Sequence, residues 1–175
     1  MDQITTTLSI SNIRSARNCD HEQFTHIITV CQESIADNMA TEVPAYSHFN
    51  LADGEYDEQT NGGECSFEVF EQAADTLRKA LTEDENTTLI HCHAGVSRST
   101  SVAAAALSAI NNQSFSESIE VIKTERPRAN PLPRLKSYAK LYAYIHTNEQ
   151  SLMGVPQEHR PPEFHGVDTL SEFGK

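Results

Sequence analysis

Lysine is scarce in this 175-residue chain, which carries only Lys79, Lys123, Lys136, Lys140 and Lys175. All basic residues together number 13 against 25 acidic ones, so the net charge is −12 and the isoelectric point lies near 5.0. A polyanion would be repelled by such a chain, which argues against nucleic acid and anionic membrane surfaces as partners. Tryptophan is absent. No apolar run approaches the ~18 residues that a membrane span needs. Met1-Asp2-Gln3 carries neither the basic nor the apolar region of a secretion signal. A cytoplasmic location is therefore expected. The four cysteines, Cys19, Cys31, Cys65 and Cys92, form no CxxC pair and no framework spacing, so reduced thiols are expected.

What is present reads as one domain with a tail. Residues 4–10 alternate as a short strand, and residues 14–24 are polar and partly helical. Residues 25–31 form a β-branched run that suits a buried strand. Residues 46–51 alternate and stop at Ala52-Asp53-Gly54, a third strand ending in a turn. Residues 55–64 are acidic and polar, and read as a loop. Phe67, Phe70, Ala74, Leu77 and Leu81 give residues 66–81 the spacing of an amphipathic helix. Residues 87–92 form a fourth strand. After a glycine-bearing loop, residues 99–110 make a helix apolar nearly all round, so it should be central and buried. Ser114-Phe115-Ser116-Glu117 fits a capping box opening another helix, which Arg126-Pro127 closes. A last helix starts at Pro131 to Pro133, with Leu135, Tyr138, Leu141, Tyr142 and Ile145 as its stripe. Residues 1–146 are the expected domain and residues 147–175 a flexible tail. Strands alternating with helices predict an α/β fold, a central, mostly parallel sheet of four to five strands flanked by helices. Sites in such folds lie beyond the carboxyl ends of the strands. Cys92 and Asp53 both sit at such ends.

The chemistry concentrates in His91-Cys92-His93-Ala94-Gly95-Val96-Ser97-Arg98-Ser99. A cysteine leaves a strand, five residues follow, and an arginine opens a buried helix. The amides of His93, Ala94, Gly95, Val96 and Ser97 can point inward at phosphate oxygens, and the helix N-terminus adds partial positive charge. Gly95 permits the backbone conformation that closes the turn. Arg98 can hold two oxygens with its planar fork. These positive surroundings favour a Cys92 thiolate, a nucleophile aimed at phosphorus. An inert buried thiol at a strand end suits Cys19, Cys31 and Cys65, but it leaves the Gly and Arg after Cys92 unexplained.

Cys-x5-Arg-Ser after a histidine resembles the signature of the cysteine-dependent protein tyrosine phosphatases. The form HCxAGxSRS is most similar to their dual-specificity branch. The resemblance spans residues 4–145. It implies a protein phosphatase acting on phosphotyrosine and phosphoserine/threonine through a cysteinyl-phosphate, with no cofactor and no metal. It also implies a general acid at the end of an upstream strand, matched best by Asp53, with Asp57 a rival and Glu55 and Glu58 weaker ones. Ser99 resembles the hydroxyl that steadies the departing thiolate. His91 resembles the residue that orders the loop, although a packed core histidine fits it equally. Asn130 is similar to a polar residue that some relatives carry near the site.

Other readings are weaker. Cys92 faces away from His91 and His93 in an extended strand, so the three do not make a metal site. A sulfur-transfer loop would not require Arg98 and Ser99. The order Asp then Cys opposes the low-molecular-weight phosphatase type. A loop without lysine favours phosphoprotein monoesters over polyphosphorylated ligands; a non-protein phosphate ester and a phosphoprotein-binding module without turnover stay open. We favour a monomer whose partner is a phosphorylated protein. Abundant carboxylate with little lysine resembles the cytoplasmic proteins of halophilic archaea, with an ordinary acidic cytosolic protein as the alternative.

Overall fold

A computed structural model describes residues 1–39, 45–83 and 85–152. Five strands make one sheet: β1 (Asp2–Gln3), β2 (Leu8–Asn12), β3 (His26–Thr29), β4 (Ala45–His48) and β5 (Thr88–Cys92). Their spatial order is β1-β2-β5-β3-β4. Only the edge pair β1–β2 is antiparallel; β2–β5, β5–β3 and β3–β4 run parallel. The helices among the described residues are α1 (Ile13–Asn18), α2 (Glu55–Asn61), α3 (Phe67–Thr82), α4 (Arg98–Asn111), α5 (Phe115–Glu125) and α6 (Pro133–Leu152). This is the expected α/β architecture, a five-stranded and mostly parallel sheet flanked by helices.

Every residue of β5 is buried, as the central strand of a parallel sheet must be. The register pairs Asn12 with Cys92 and both Ser11 and Thr29 with His91. The carboxyl ends of β2, β3 and β5 therefore meet at one edge, where the loop after Cys92 begins. Helix α4 is buried from Arg98 through Ala109 and packs against α3, α5 and α6. Its alanine run, Ala103 to Ala106, lets these helices approach closely. Ser66 caps α3 at the Val69 N–H, and Phe70, Ala73, Ala74, Leu77 and Ala80 form its buried stripe. The expected capping box of α5 is complete, with Ser114 and Glu117 each serving the other's backbone.

Several boundaries differ from the sequence expectation. Residues 4–10 are not one strand: the Ile4 and Thr5 N–H groups both donate to the Leu8 carbonyl, turning the chain between β1 and β2. The third strand ends at His48, and Leu51 then pairs with Glu64 in an isolated parallel bridge. Residues 55–64 are not a loop, because α2 occupies Glu55–Asn61. Glu55, Asp57 and Glu58 sit in its first turn, where carboxylates complement the helix dipole. Gly62 stops it in the left-handed conformation, φ 66°, donating its N–H to the Glu58 carbonyl. Helix α6 continues past residue 147 to Leu152, so the expected domain boundary falls inside a helix. The remainder of the expected tail, 153–175, lies outside the described residues.

Candidate active site

The loop joining β5 to α4 is held open from behind. The His93 carbonyl accepts the Ile13 N–H at 3.2 Å, and the Gly95 carbonyl accepts Arg126 Nε at 2.5 Å. The Val96 carbonyl accepts the Asn130 N–H at 2.8 Å and the Thr100 hydroxyl at 2.6 Å. With these carbonyls engaged outside, the loop amides are free to face inward. Gly95 has φ +67°, and a Cβ there would collide with the Ser11 carbonyl and the Arg126 guanidinium. No side chain fits that position. Arg126 is fully buried and also pairs with Asp2 and the Ile10 carbonyl. It ties the loop to β1 and β2.

Cys92 sits at the floor of this loop. Its Sγ accepts the Gly95 N–H at 3.2 Å and lies 3.3 Å from Ser99 Oγ. Ser99 is therefore where a hydroxyl could steady a sulfur anion. His91 is fully buried, with Nε2 2.7 Å from Thr29 Oγ1. Burial pushes its pKa down to about 4, so the ring is neutral at ordinary pH. It braces β5 against β3 as a neutral hydrogen-bonding residue.

Both candidate acids reach the loop. Asp53 Oδ1 accepts the Ser97 hydroxyl at 2.5 Å, and its Oδ2 lies 3.7 Å from Arg98 Nε. Asp57 Oδ2 accepts from Arg98 Nη1 at 3.2 Å and from the Asp53 N–H at 2.6 Å. Burial holds the Asp53 carboxyl above the usual carboxylate range, and Asp57 adds to the rise, while Ser97 and Arg98 oppose it. Ser97 was expected only among the phosphate-binding amides. Its side chain instead grips Asp53 and accepts the Leu132 N–H at 3.0 Å. That use leaves α4 without a side-chain cap, so its first N–H groups stay available to an anion. Glu55 and Glu58 turn away from Arg98 and pair with Arg134, at 3.0 and 3.4 Å. Asn130 contributes its backbone N–H, and its side chain is on the exposed surface.

A cavity of about 290 Å³ reaches Arg98, Asp57 and His93 and is otherwise lined by Cys31, Gln32 and Glu33. His93 is exposed on the rim, its Nδ1 3.4 Å from a Glu33 carboxylate that also pairs with Arg17. Ala94 is also exposed. Burial pushes the Cys31 thiol up to about 11, so it is protonated. A larger cavity of about 520 Å³, between the α4–α5 turn and α6, has Lys140 as the charged side chain among its described lining residues and holds no cysteine. Residues that the sequence did not single out for the site are Arg126, Glu33 and the Leu51 carbonyl, which accepts from Arg98 Nη1 at 3.3 Å.

The sequence model described as "Dual specificity phosphatase, catalytic domain" matches residues 6–151. The chain belongs to this family. A 61-residue segment is 34% identical to dual specificity protein phosphatase 15 of Rattus norvegicus, covering 35% of this chain and 26% of that protein. The Mus musculus protein of the same name gives 33% over the same length. The match thus spans about a quarter of these curated relatives. The structure of human DUSP28 superposes with a TM-score of 0.67 at 18% identity, covering 85% of this chain and 99% of that one. The structure of DUSP15 gives 0.67 at 19% identity, with 88% and 95% covered. At such identities the likeness is one of fold. The helix that follows Asp53 has to be understood from this chain's own residues.

Proposed function

We propose that the chain hydrolyses phosphate monoesters on proteins, at phosphotyrosine and at phosphoserine or phosphothreonine, through a phosphocysteine at Cys92. The observation that carries this reading is the thiol of Cys92 at 3.2 Å from the Gly95 N–H and 3.3 Å from Ser99 Oγ, in a loop whose Arg98 and His93 line a cavity. The Cys92 thiolate attacks phosphorus while the ester oxygen departs. Loop amides and Arg98 hold the equatorial oxygens. Asp53 gives its proton to the leaving oxygen, for which a carboxyl raised by burial is suited. In the second step water attacks phosphorus, Asp53 takes the water's proton, and sulfur leaves as a thiolate that Ser99 steadies.

The rim favours singly phosphorylated substrates. The loop holds no lysine, and Glu33 stands at the mouth, where a second phosphate would meet a carboxylate. No basic and aromatic segment before the acid builds a deep, tyrosine-only slot, so both kinds of phosphoester are accommodated. The test is hydrolysis of a small aryl phosphate by the wild type and by Cys92→Ser. Turnover by the wild type and none by the variant is expected; equal activity, or none in either, refutes the mechanism. Initial rates on phosphotyrosine and phosphothreonine peptides then measure specificity. A preference for tyrosine by several orders of magnitude would refute the dual reading.

A further inference from the structure

We propose that Asp57 is a positioning residue, which aims the Arg98 fork at the phosphate and holds the Asp53 backbone over it, and is not the proton donor. This rests on the phosphatase reading above. A guanidinium offers two parallel pairs of donors, along the Nε–Nη2 edge and along the Nη1–Nη2 edge. In Arg98, Nη1 is fully occupied: one hydrogen goes to the Leu51 carbonyl at 3.3 Å, the other to Asp57 Oδ2 at 3.2 Å. Nε, by contrast, is buried with no hydrogen-bond partner. Asp53 Oδ2 lies 3.7 Å from it, in ion-pair range but too far for a hydrogen bond. The edge that would take two phosphate oxygens is thus left open, with the acid beside it.

The same Asp57 oxygen accepts the Asp53 N–H at 2.6 Å. One carboxylate therefore fixes the rotation of the arginine and the height of the acid's backbone together. No acidic residue lies between Cys92 and Arg98, so the loop itself offers Arg98 no carboxylate. The counter-ion comes from the first turn of α2, the helix that polar composition concealed. Asp57 is also the less exposed acid, with 16% of its side chain accessible against 25% for Asp53. Asp57 lines the cavity, but its Oδ2 is taken by Arg98 Nη1 and the Asp53 N–H, whereas Asp53 Oδ2 makes only the 3.7 Å ion pair with Arg98 Nε.

Aryl phosphates with good and poor leaving groups separate the two roles, because a general acid matters only for the poor ones. Asp57→Ala is expected to lower kcat/KM by about tenfold to a hundredfold for good and poor leaving groups alike, with a smaller added loss on the poor ones from the released Asp53 backbone. It should also weaken competitive inhibition by inorganic phosphate severalfold. Asp53→Asn should lose rate on poor leaving groups only and keep its phosphate affinity. Asp57→Asn, nearly isosteric and still an oxygen acceptor, should fall between wild type and Asp57→Ala; it carries the test if the alanine variant melts below the assay temperature. A loss in either Asp57 variant confined to poor leaving groups, as in Asp53→Asn, would make Asp57 the acid and overturn the proposal. Unchanged or tighter phosphate binding would overturn it too, since Asp57 would then be idle or a competitor for Arg98. Calorimetric phosphate binding, with and without Asp57→Ala in the Cys92→Ser protein, needs no turnover. It decides the positioning role even if the wild type proves inactive and the phosphatase reading falls.

Discussion

The two halves of the site are built differently. The phosphate-loop half, Cys92 to Ser99, is contiguous, buried except at His93, Ala94 and the half-buried Val96, and held from behind by Ile13, Arg126 and Asn130. The acid half, Asp53 and α2, is partly exposed. Side chains tie it down: Ser97 to Asp53, Arg98 to Asp57, and Arg134 to Glu55 and Glu58. Exposed ion pairs such as those of Arg134 add little rigidity. The first half works as a fixed mould for an anion. The second depends on that mould for its own position, since two of its three ties end on loop residues.

The largest expected effect comes from breaking the mould. Gly95→Ala should abolish measurable turnover and destabilise the fold by about 2–4 kcal/mol, because a side chain at positive φ would also meet backbone and guanidinium. Thermal melts and aryl phosphate assays check both; a Gly95→Ala protein with wild-type activity would refute the account of the loop. Next comes the acid half. Asp53→Asn should cut kcat on a poor leaving group by about 10²- to 10³-fold with little change in folding. Asp53 must be protonated in the first step, so wild-type kcat should fall as pH rises through its raised pKa. The variant should show no such limb, and retention of the limb would exclude Asp53.

A smaller effect separates brace from acid by stability. His91 has a folded pKa near 4 against an ordinary 6.5, so the unfolded chain binds the proton more readily. Its contribution is fully present above about 6.5 and is lost as pH falls towards 4. Asp53 runs the other way, with stability declining as pH rises through its raised pKa. Melting temperatures of His91→Gln across this range should lose the acid-side slope, while those of Asp53→Asn should keep it. The smallest effect concerns the field around both halves. At about 1 M salt the Debye length is ~3 Å, so the repulsion of phosphoanions by the −12 surface is screened while the buried loop is not. A modest rise in kcat/KM with salt is expected. A steep fall would show that long-range attraction steers the substrate, and it would remove the halophile reading.

Much of this was legible from residue order. The alternation of strands and helices, the capping box at Ser114 and the all-round apolar helix after Arg98 were each a local pattern, and each is found where expected. Helix α2 was hidden because it has no apolar stripe; its signals were the carboxylates of its first turn and the glycine that ends it. For His91 residue order left two readings, a residue that orders the loop and a packed core histidine; its full burial against Thr29 is a tertiary fact that the residue name does not carry.

The chain by itself brought together Cys92, the loop after it and Arg98, the parts of the proposed site, because consecutive residues on a strand, a turn and a helix start need only local geometry to converge. The division of labour between Asp53 and Asp57 was decided by tertiary structure alone. Both lie more than forty residues from the loop side chains they touch, and they differ by four positions from each other. Which one holds the Nη1 nitrogen of Arg98 and which one lies beside Nε depends on how α2 packs against the loop, and no spacing rule encodes that.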